Sequence, residues 1–182
     1  MKTYFATSNK GKFTEAKELF EKAGLELKQY KVDLLEIQSD SLEEISKASA
    51  RNAFKSLQKP LFVEDAGIFI KTLKGFPGPY SKYVFFTIGL EGILKLMDRV
   101  EERKAEFVSV VTYKDADKEK LFKGTCRGNI THKIKGQGGF GFDPIFIPQN
   151  HKKTFAEDFE FKKENSHRAQ SVKKLADWLK NG

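Results

Sequence analysis

Glu64 and Asp65 stand side by side after an apolar run, Leu61-Phe62-Val63. Carboxylates at the end of a sheet strand sit where open α/β proteins keep their ligand crevices. Hard oxygens of that kind suit Mg²⁺, which commonly uses one or two carboxylates plus substrate phosphates. Glu36 follows Asp33-Leu34-Leu35 at what reads as another strand end and offers a third acid. Earlier in the chain, Thr7-Ser8-Asn9-Lys10-Gly11-Lys12 lies between a buried run and a helical pattern. Backbone N–H groups at a helix start carry partial positive charge and hold phosphate. Thr7, Ser8 and Asn9 add donors there, and Lys10 and Lys12 add charge. Near the other end, Ser166-His167-Arg168 gathers three donors, with Lys162 and Lys163 just upstream. Taken singly, each group has an ordinary alternative: solvated acids, a plain helix cap, or exposed surface residues.

A second kind of chemistry is written in Gly136–Pro148, GQGGFGFDPIFIP. Gly136, Gly138 and Gly141 fit G-x-G-x-x-G, the dinucleotide fingerprint. That fingerprint needs a helix to follow, because the helix start receives the pyrophosphate. Here Phe142–Pro148 follows, which reads as a strand ending in proline. The match is therefore incidental. What remains is a turn-rich loop carrying aromatic faces, on which a nucleobase can stack. There is no G-x-x-x-x-G-K-[ST] phosphate loop, no H-E-x-x-H, and no Cys/His cluster that would suit zinc. Cys126 has no activating neighbour in sequence and reads as an inert thiol.

These residues need elements to place them. Thr3–Thr7 reads as a short buried strand leading into a helix with Phe13, Ala16, Leu19, Phe20 and Ala23 on one face and Gly24 as its stop. Leu25–Val32 reads as a second strand. Ser41-Leu42-Glu43-Glu44 has the form of a capping box, opening a helix that runs to about Leu57. Pro60 breaks the chain, and the strand entered at Leu61 is expected to end at the acidic pair, with Ile68–Leu73 continuing or pairing with it. Gly75–Pro79 reads as a loop, and Leu90, Ile93, Leu94 and Met97 as a helix. Glu106–Tyr113 and Lys120–Arg127 read as a hairpin, with Ile130–Lys135 as a possible added strand. Ser166 caps a last helix with Val172, Leu175, Ala176 and Leu179 on its apolar face. Helices alternate with strands early and paired strands follow, which predicts a mixed α/β protein with a central sheet.

The bulk numbers agree with this. At 182 residues a single domain, 1–182, is the expectation, and 17 Phe give ample core. Lys+Arg 33 against Asp+Glu 25 gives a net charge of +8, which suits a polyanionic partner. Most lysines lie scattered among acids, so a nucleic-acid-binding module is the rival rather than the first reading. That rival leaves Glu36, Glu64 and Asp65 without a purpose. Cys126 is the only cysteine, the first residues MKTYFATSNKGK have no signal-peptide core, and the apolar runs are far short of a membrane span. The expectation is a cytoplasmic protein with no membrane and no nucleic-acid partner.

Together the segments are more specific. Thr7-x-Asn9-x-x-Lys12, Glu64-Asp65-Ala66-Gly67, Phe76-Pro77-Gly78-Pro79-Tyr80-Ser81, Phe140-Gly141-Phe142-Asp143-Pro144 and Ser166-His167-Arg168 occur in this order. The series resembles the inosine triphosphate pyrophosphatase family, from about Thr3 to Leu175. The resemblance implies an elongated mixed sheet with flanking helices, two lobes and a cleft, usually in a homodimer. It implies Mg²⁺-dependent hydrolysis of non-canonical purine nucleoside triphosphates (ITP, dITP, XTP) to the monophosphate and pyrophosphate. By position, Lys12 would hold the triphosphate, with Thr7 and Asn9 shaping its loop. Glu36, Glu64 and Asp65 would hold the metal, and Asp65 would be the general base. Phe140 would stack on the purine, and Asp143, Ser166, His167 and Arg168 would line the base pocket. Lys162 and Lys163 both stand for the lysine the family places before Ser-His-Arg. The chain departs from the family where many members have Asp-Asp-Ser-Gly in place of Glu64–Gly67, and Ala-Arg in place of Lys82-Tyr83. A septum-formation type of nucleotide pyrophosphatase is the nearer rival, and Ser166–Arg168 and Phe140–Pro144 speak against it.

Overall fold

The computed structural model describes residues 2–35 and 37–181. The strands are β1 (Lys2–Ala6), β2 (Glu26–Tyr30), β3 (Leu61–Ile70), β4 (Pro77–Gly78), β5 (Lys104–Lys114), β6 (Glu119–Ile130) and β7 (Phe146–Pro148). The helices are α1 (Lys10–Lys22), α2 (Leu42–Leu57), α3 (Ser81–Thr87), α4 (Gly89–Leu96), α5 (Phe159–Asn165) and α6 (His167–Asn181). The strands form one sheet in the order β2-β1-β3-β5-β6-β7, with β4 paired to β3. β1 runs parallel to β2, with Thr3 opposite Leu27, and parallel to β3, with Tyr4 opposite Leu61. β7 runs antiparallel to β6, with Ile130 opposite Phe146. The mixed α/β architecture matches the expectation. None of the described helices is long and apolar enough to cross a membrane.

The chain divides into two compact units. The first comprises Met1–Asp65, Ser109–Gly124 and His167–Gly182. Its core stacks Phe5 on Phe62, with ring centroids 4.4 Å apart, and Phe20 on Phe62 at 5.6 Å. Val111, Tyr113, Val172 and Leu175 close around them. α1 reaches this core through the face that its spacing predicts, with Ala16, Leu19 and Phe20 buried. α6 does the same with Val172, Leu175 and Ala176. The second unit comprises Ala66–Val108 and Thr125–Ser166, and its core gathers Ile68, Ile70, Val84, Ile93, Phe107, Phe146 and Phe155. Arg103 is buried there at 8% exposure, and its guanidinium donates to the carbonyls of Met97, Val100, Ile130 and Thr131.

Several local expectations change. β3 does not end at the acidic pair. It continues through Gly67-Ile68-Phe69 to Ile70, because β4 pairs with it, Gly78 lying opposite Ile68. Glu64 and Asp65 are therefore inside a strand, with Glu64 buried. Ile130–Lys135 does not extend the sheet, since β6 ends at Ile130 and no strand follows until Phe146. The run after Gly141 is not all strand, because Asp143–Ile145 forms a single 3₁₀ turn before β7. The α2 cap forms through Ser41 Oγ, which accepts the Glu44 N–H at 3.2 Å. The Glu44 carboxylate turns away from the reciprocal bond and accepts from Ser39 Oγ at 2.7 Å instead.

Candidate functional site

In the first unit, the loop before α1 is pinned at each step. Thr7 N–H donates to the Tyr30 carbonyl at 3.0 Å, and Gln29 Nε2 donates to the Thr7 carbonyl at 2.9 Å. Thr7 Oγ1 accepts the Asn9 N–H at 3.1 Å, and Asn9 Oδ1 accepts the Lys12 N–H at 3.0 Å. Asn9 is thus the N-cap of α1, as its extended backbone (φ −78°, ψ 110°) requires. This fixes where Lys12 leaves the helix. Its ammonium reaches β3, donating to the Glu64 carbonyl at 3.1 Å and lying 2.9 Å from Glu64 Oε2.

The Glu64 side chain has no solvent exposure. Its Oε1 accepts from Ser109 Oγ at 2.7 Å and lies 3.3 Å from Arg168 Nε. Arg168, in the first turn of α6, donates through Nη1 to Glu15 Oε2 at 2.7 Å. Two cations, Lys12 and Arg168, thus face two carboxylates, Glu64 and Glu15. A buried charge is tolerated only when paired in this way. Burial alone would raise the Glu64 carboxyl, but the charges of Arg168 and Lys12 and the Ser109 hydroxyl outweigh it. The carboxyl is held well below the usual carboxylate range. Burial would likewise lower the Arg168 guanidinium, but Glu64 and Glu15 raise it further above its ordinary value.

The close approach of α6 depends on Gly124. A side chain there would run into the His167 carbonyl and the Ser171 backbone nitrogen. Only a glycine in β6 lets the first turn of α6, with Arg168 on it, lie this near the sheet.

In the second unit, the glycine-rich loop folds around Asp143, which is 2% exposed. Asp143 Oδ2 accepts the Phe140 N–H at 2.8 Å and an ammonium hydrogen of Lys162 at 2.8 Å. Gly139, at φ +72°, makes the turn, and a side chain on it would strike that same oxygen. Lys162 is 1% exposed, and its Nζ lies 4.2 Å from the centroid of the Phe140 ring. The Phe140 ring stays 36% exposed. Lys163 points elsewhere, 3.2 Å from Glu160 on the same helix. Of the two lysines that the sequence left in competition, Lys162 is the one seen joined to Asp143 and Phe140.

The structure therefore brings Thr7, Asn9, Lys12, Glu64 and Arg168 together in the first unit, with Asp65 next to Glu64 in β3 and His167 next to Arg168 in α6. Phe140, Asp143 and Lys162 come together in the second unit, which also holds Lys163 and Ser166. Glu36, expected as a metal ligand, lies outside the described residues. Among the described residues no three acids, histidines or cysteines gather as a metal cluster. One observation bears on a divalent cation. Glu64 Oε2 is buried and accepts no directed hydrogen bond, yet a cationic group already lies beside it. An anionic oxygen in that state fits a hard cation.

Sequence reasoning missed three members of the first group. Glu15 is an acid on the otherwise apolar face of α1, and it is buried at 7% exposure. Ser109 interrupts the apolar run of β5, and Ser171 sits on the inward face of α6. A polar residue at a core position of a periodic pattern was the signal in each case.

The Ham1 family model matches residues 3–178. The dITP/XTP pyrophosphatase of Methanopyrus kandleri is 50% identical over 183 residues, covering 100% of this chain and 97% of its own length. That of Thermococcus kodakarensis is 46% identical, covering 99% of this chain and 98% of its own. Among solved structures, the Staphylococcus aureus Ham1 protein superposes with a TM-score of 0.86 at 29% identity, covering 100% of this chain and 99% of its own. A HAM1 protein from Coxiella burnetii superposes at 0.88 with 25% identity, both chains covered in full. Both side-chain groups lie inside the matched span, and the fold is shared from end to end: this chain belongs to the Ham1 family.

Proposed function

We propose that this chain hydrolyses non-canonical purine nucleoside triphosphates (dITP, ITP and XTP) to the monophosphate and pyrophosphate. Water attacks the α-phosphorus, the α–β phosphoanhydride bond breaks, and pyrophosphate leaves. The observation that carries the reading is the Lys12–Glu64 contact, an ammonium from a helix-start loop resting on a buried carboxylate at 2.9 Å. The activity named for relatives at 50% and 46% identity supports the substrate class. The Thr7–Lys12 loop receives the phosphates, and Lys12 then passes from Glu64 to a phosphate oxygen. Glu36, Glu64 and Asp65 are the residues that would hold Mg²⁺, which when bound neutralises phosphate charge and acidifies water. Asp65 accepts the proton of the attacking water. Phe140 stacks on the purine, held from behind by Asp143 and Lys162. Ser166, His167 and Arg168 serve the base side. Arg168 can only donate, so it favours a 6-oxo group over the 6-amino group of adenine. The whole chain acts as one catalytic domain in a cytoplasmic homodimer, and the lone, buried Cys126 suits that reducing compartment.

The test is a panel of nucleoside triphosphates with Mg²⁺, reading pyrophosphate against orthophosphate. Pyrophosphate from dITP, ITP and XTP, with little from ATP, is the expected result. Orthophosphate as the product, or equal use of ATP, would sink the reading. In the same panel Asp65→Asn is expected to abolish turnover while still binding substrate, and a near-normal kcat would remove Asp65 as the base.

A further inference from the structure

Ser109 and Ser171 are both 0% exposed, and the reaction as outlined gives neither of them a part. Ser109 is flanked along β5 by Val108 and Val110. A hydroxyl buried in a strand of this kind is costly unless it is bonded. Ser109 Oγ lies 2.7 Å from Glu64 Oε1 and 2.8 Å from Ser171 Oγ, and Ser171 Oγ lies 3.0 Å from the Arg168 carbonyl.

Each hydroxyl has one proton to place. The Glu64 carboxylate only accepts, so the Ser109 proton points at Glu64 Oε1. Ser109 Oγ must then accept from Ser171, whose single proton lies between Ser109 Oγ and the Arg168 carbonyl. Ser171 thus shares its one proton between the Arg168 carbonyl and Ser109 Oγ while Ser109 gives its own to Glu64, so the two serines hold each other in place. With Arg168 Nε 3.3 Å away, Oε1 is fully engaged. Oε2 faces Lys12.

We propose that Ser109, backed by Ser171, is a positioning residue that locks the Glu64 carboxylate so that Oε2 alone is offered to an incoming metal–triphosphate. The proposal rests on the pyrophosphatase reading above. Neither serine needs to touch the nucleotide itself, so metal affinity is where the effect is read first.

The experiment compares wild type, Ser109→Ala, Ser109→Thr and Ser171→Ala. Mn²⁺ affinity is measured by electron paramagnetic resonance with the metal alone, and kcat and KM are measured for dITP. Ser109→Ala is expected to lose roughly 10- to 100-fold in Mn²⁺ affinity and in kcat, the range for partners that orient a metal ligand. Ser109→Thr keeps the hydroxyl and is expected to restore both. Ser171→Ala, which leaves the Ser109–Glu64 bond in place, is expected to lose less and decides the matter should Ser109→Ala not fold. Wild-type Mn²⁺ affinity and kcat in folded Ser109→Ala, or in Ser171→Ala if only that variant folds, would overturn the inference. A wild-type protein that releases no pyrophosphate from dITP would instead sink the parent reading, so the two failures are distinct.

Discussion

Lys162 and Lys163 are neighbours in sequence, and both ammonium groups lie over the Phe159 ring, but their anionic partners differ. Lys162 is buried against Asp143 and the Phe140 ring, and Lys163, half-buried, pairs with Glu160. Lys162→Met would remove the ammonium 2.8 Å from the buried Asp143 carboxylate. Breaking a buried pair from one side costs about 3–5 kcal/mol. Lys163→Met removes a half-buried ammonium 3.2 Å from Glu160 and 5.4 Å from the Phe159 ring centroid, and is expected to cost less, about 1 kcal/mol. Urea unfolding of the two variants checks this, and equal losses would show the assignment to be wrong. The sequence could not make the choice because α5 is only 7 residues long, too short for a periodic face to declare itself. The resemblance did point to Asp143 and Phe140, in a loop whose glycines let the backbone come close to something. Cys126 carries a residue-scale prediction of another kind. Burial pushes its thiol from 9.0 up to about 11, so the folded state holds this proton more tightly than the unfolded chain does. The sign follows: the associated stability is whole below about pH 9 and is lost as pH rises through 11. Wild type should lose about 2 kcal/mol more than Cys126→Ala between pH 8 and pH 11 in urea unfolding. Parallel losses would contradict the burial argument.

At the scale of elements, long periodic segments were legible and short or tertiary-dependent ones were not. α1 and α6 followed from their apolar spacing, and α2 and α6 from Ser41 and Ser166 standing directly before them. α3 and α5, at 7 residues each, did not. β3 was expected to stop at its acids because charged residues rarely lie inside a buried strand. The charge of Lys12 and Arg168 removes that objection, and neither is near Glu64 in sequence. Gly124 is a case of the same kind. In the sequence it is only a weak position in a strand, and its reason lies in the backbone of α6. Gly124→Ala should push the first turn of α6 away from β6, carrying Arg168 and Ser171 with it. Overpacking of this sort costs about 1–3 kcal/mol. The expected outcome is a lower Tm together with a fall in kcat on dITP larger than the unfolded fraction explains. A variant with wild-type Tm and kcat would mean that α6 is free to shift without loss.

For the whole molecule, the chain passes from one compact unit to the other within β3, β5 and β6. Each unit therefore draws on segments far apart in sequence, an organisation that no local pattern in the sequence shows. The net charge of +8 reads in the same way, as a property of the ensemble of surface lysines and acids. It favours phosphate-bearing ligands in general and selects none of them. What the surface does single out is α3. Val84 faces inward at 4% exposure, while Tyr83 and Phe86 stand out at 71% and 77%. Contiguous exposed aromatics of this kind mark contact surfaces. The proposed homodimer gives them a place, since a two-fold interface presents the same patch from both copies and aromatic side chains supply most of its energy. Light scattering coupled to size exclusion should give twice the 20.8 kDa chain mass for wild type. Phe86→Glu places a charge where the copies would meet and should shift the protein to monomer without changing its far-ultraviolet circular dichroism. A wild-type monomer at micromolar concentration would remove the homodimer, and a Phe86→Glu variant that stays dimeric would move the interface off α3.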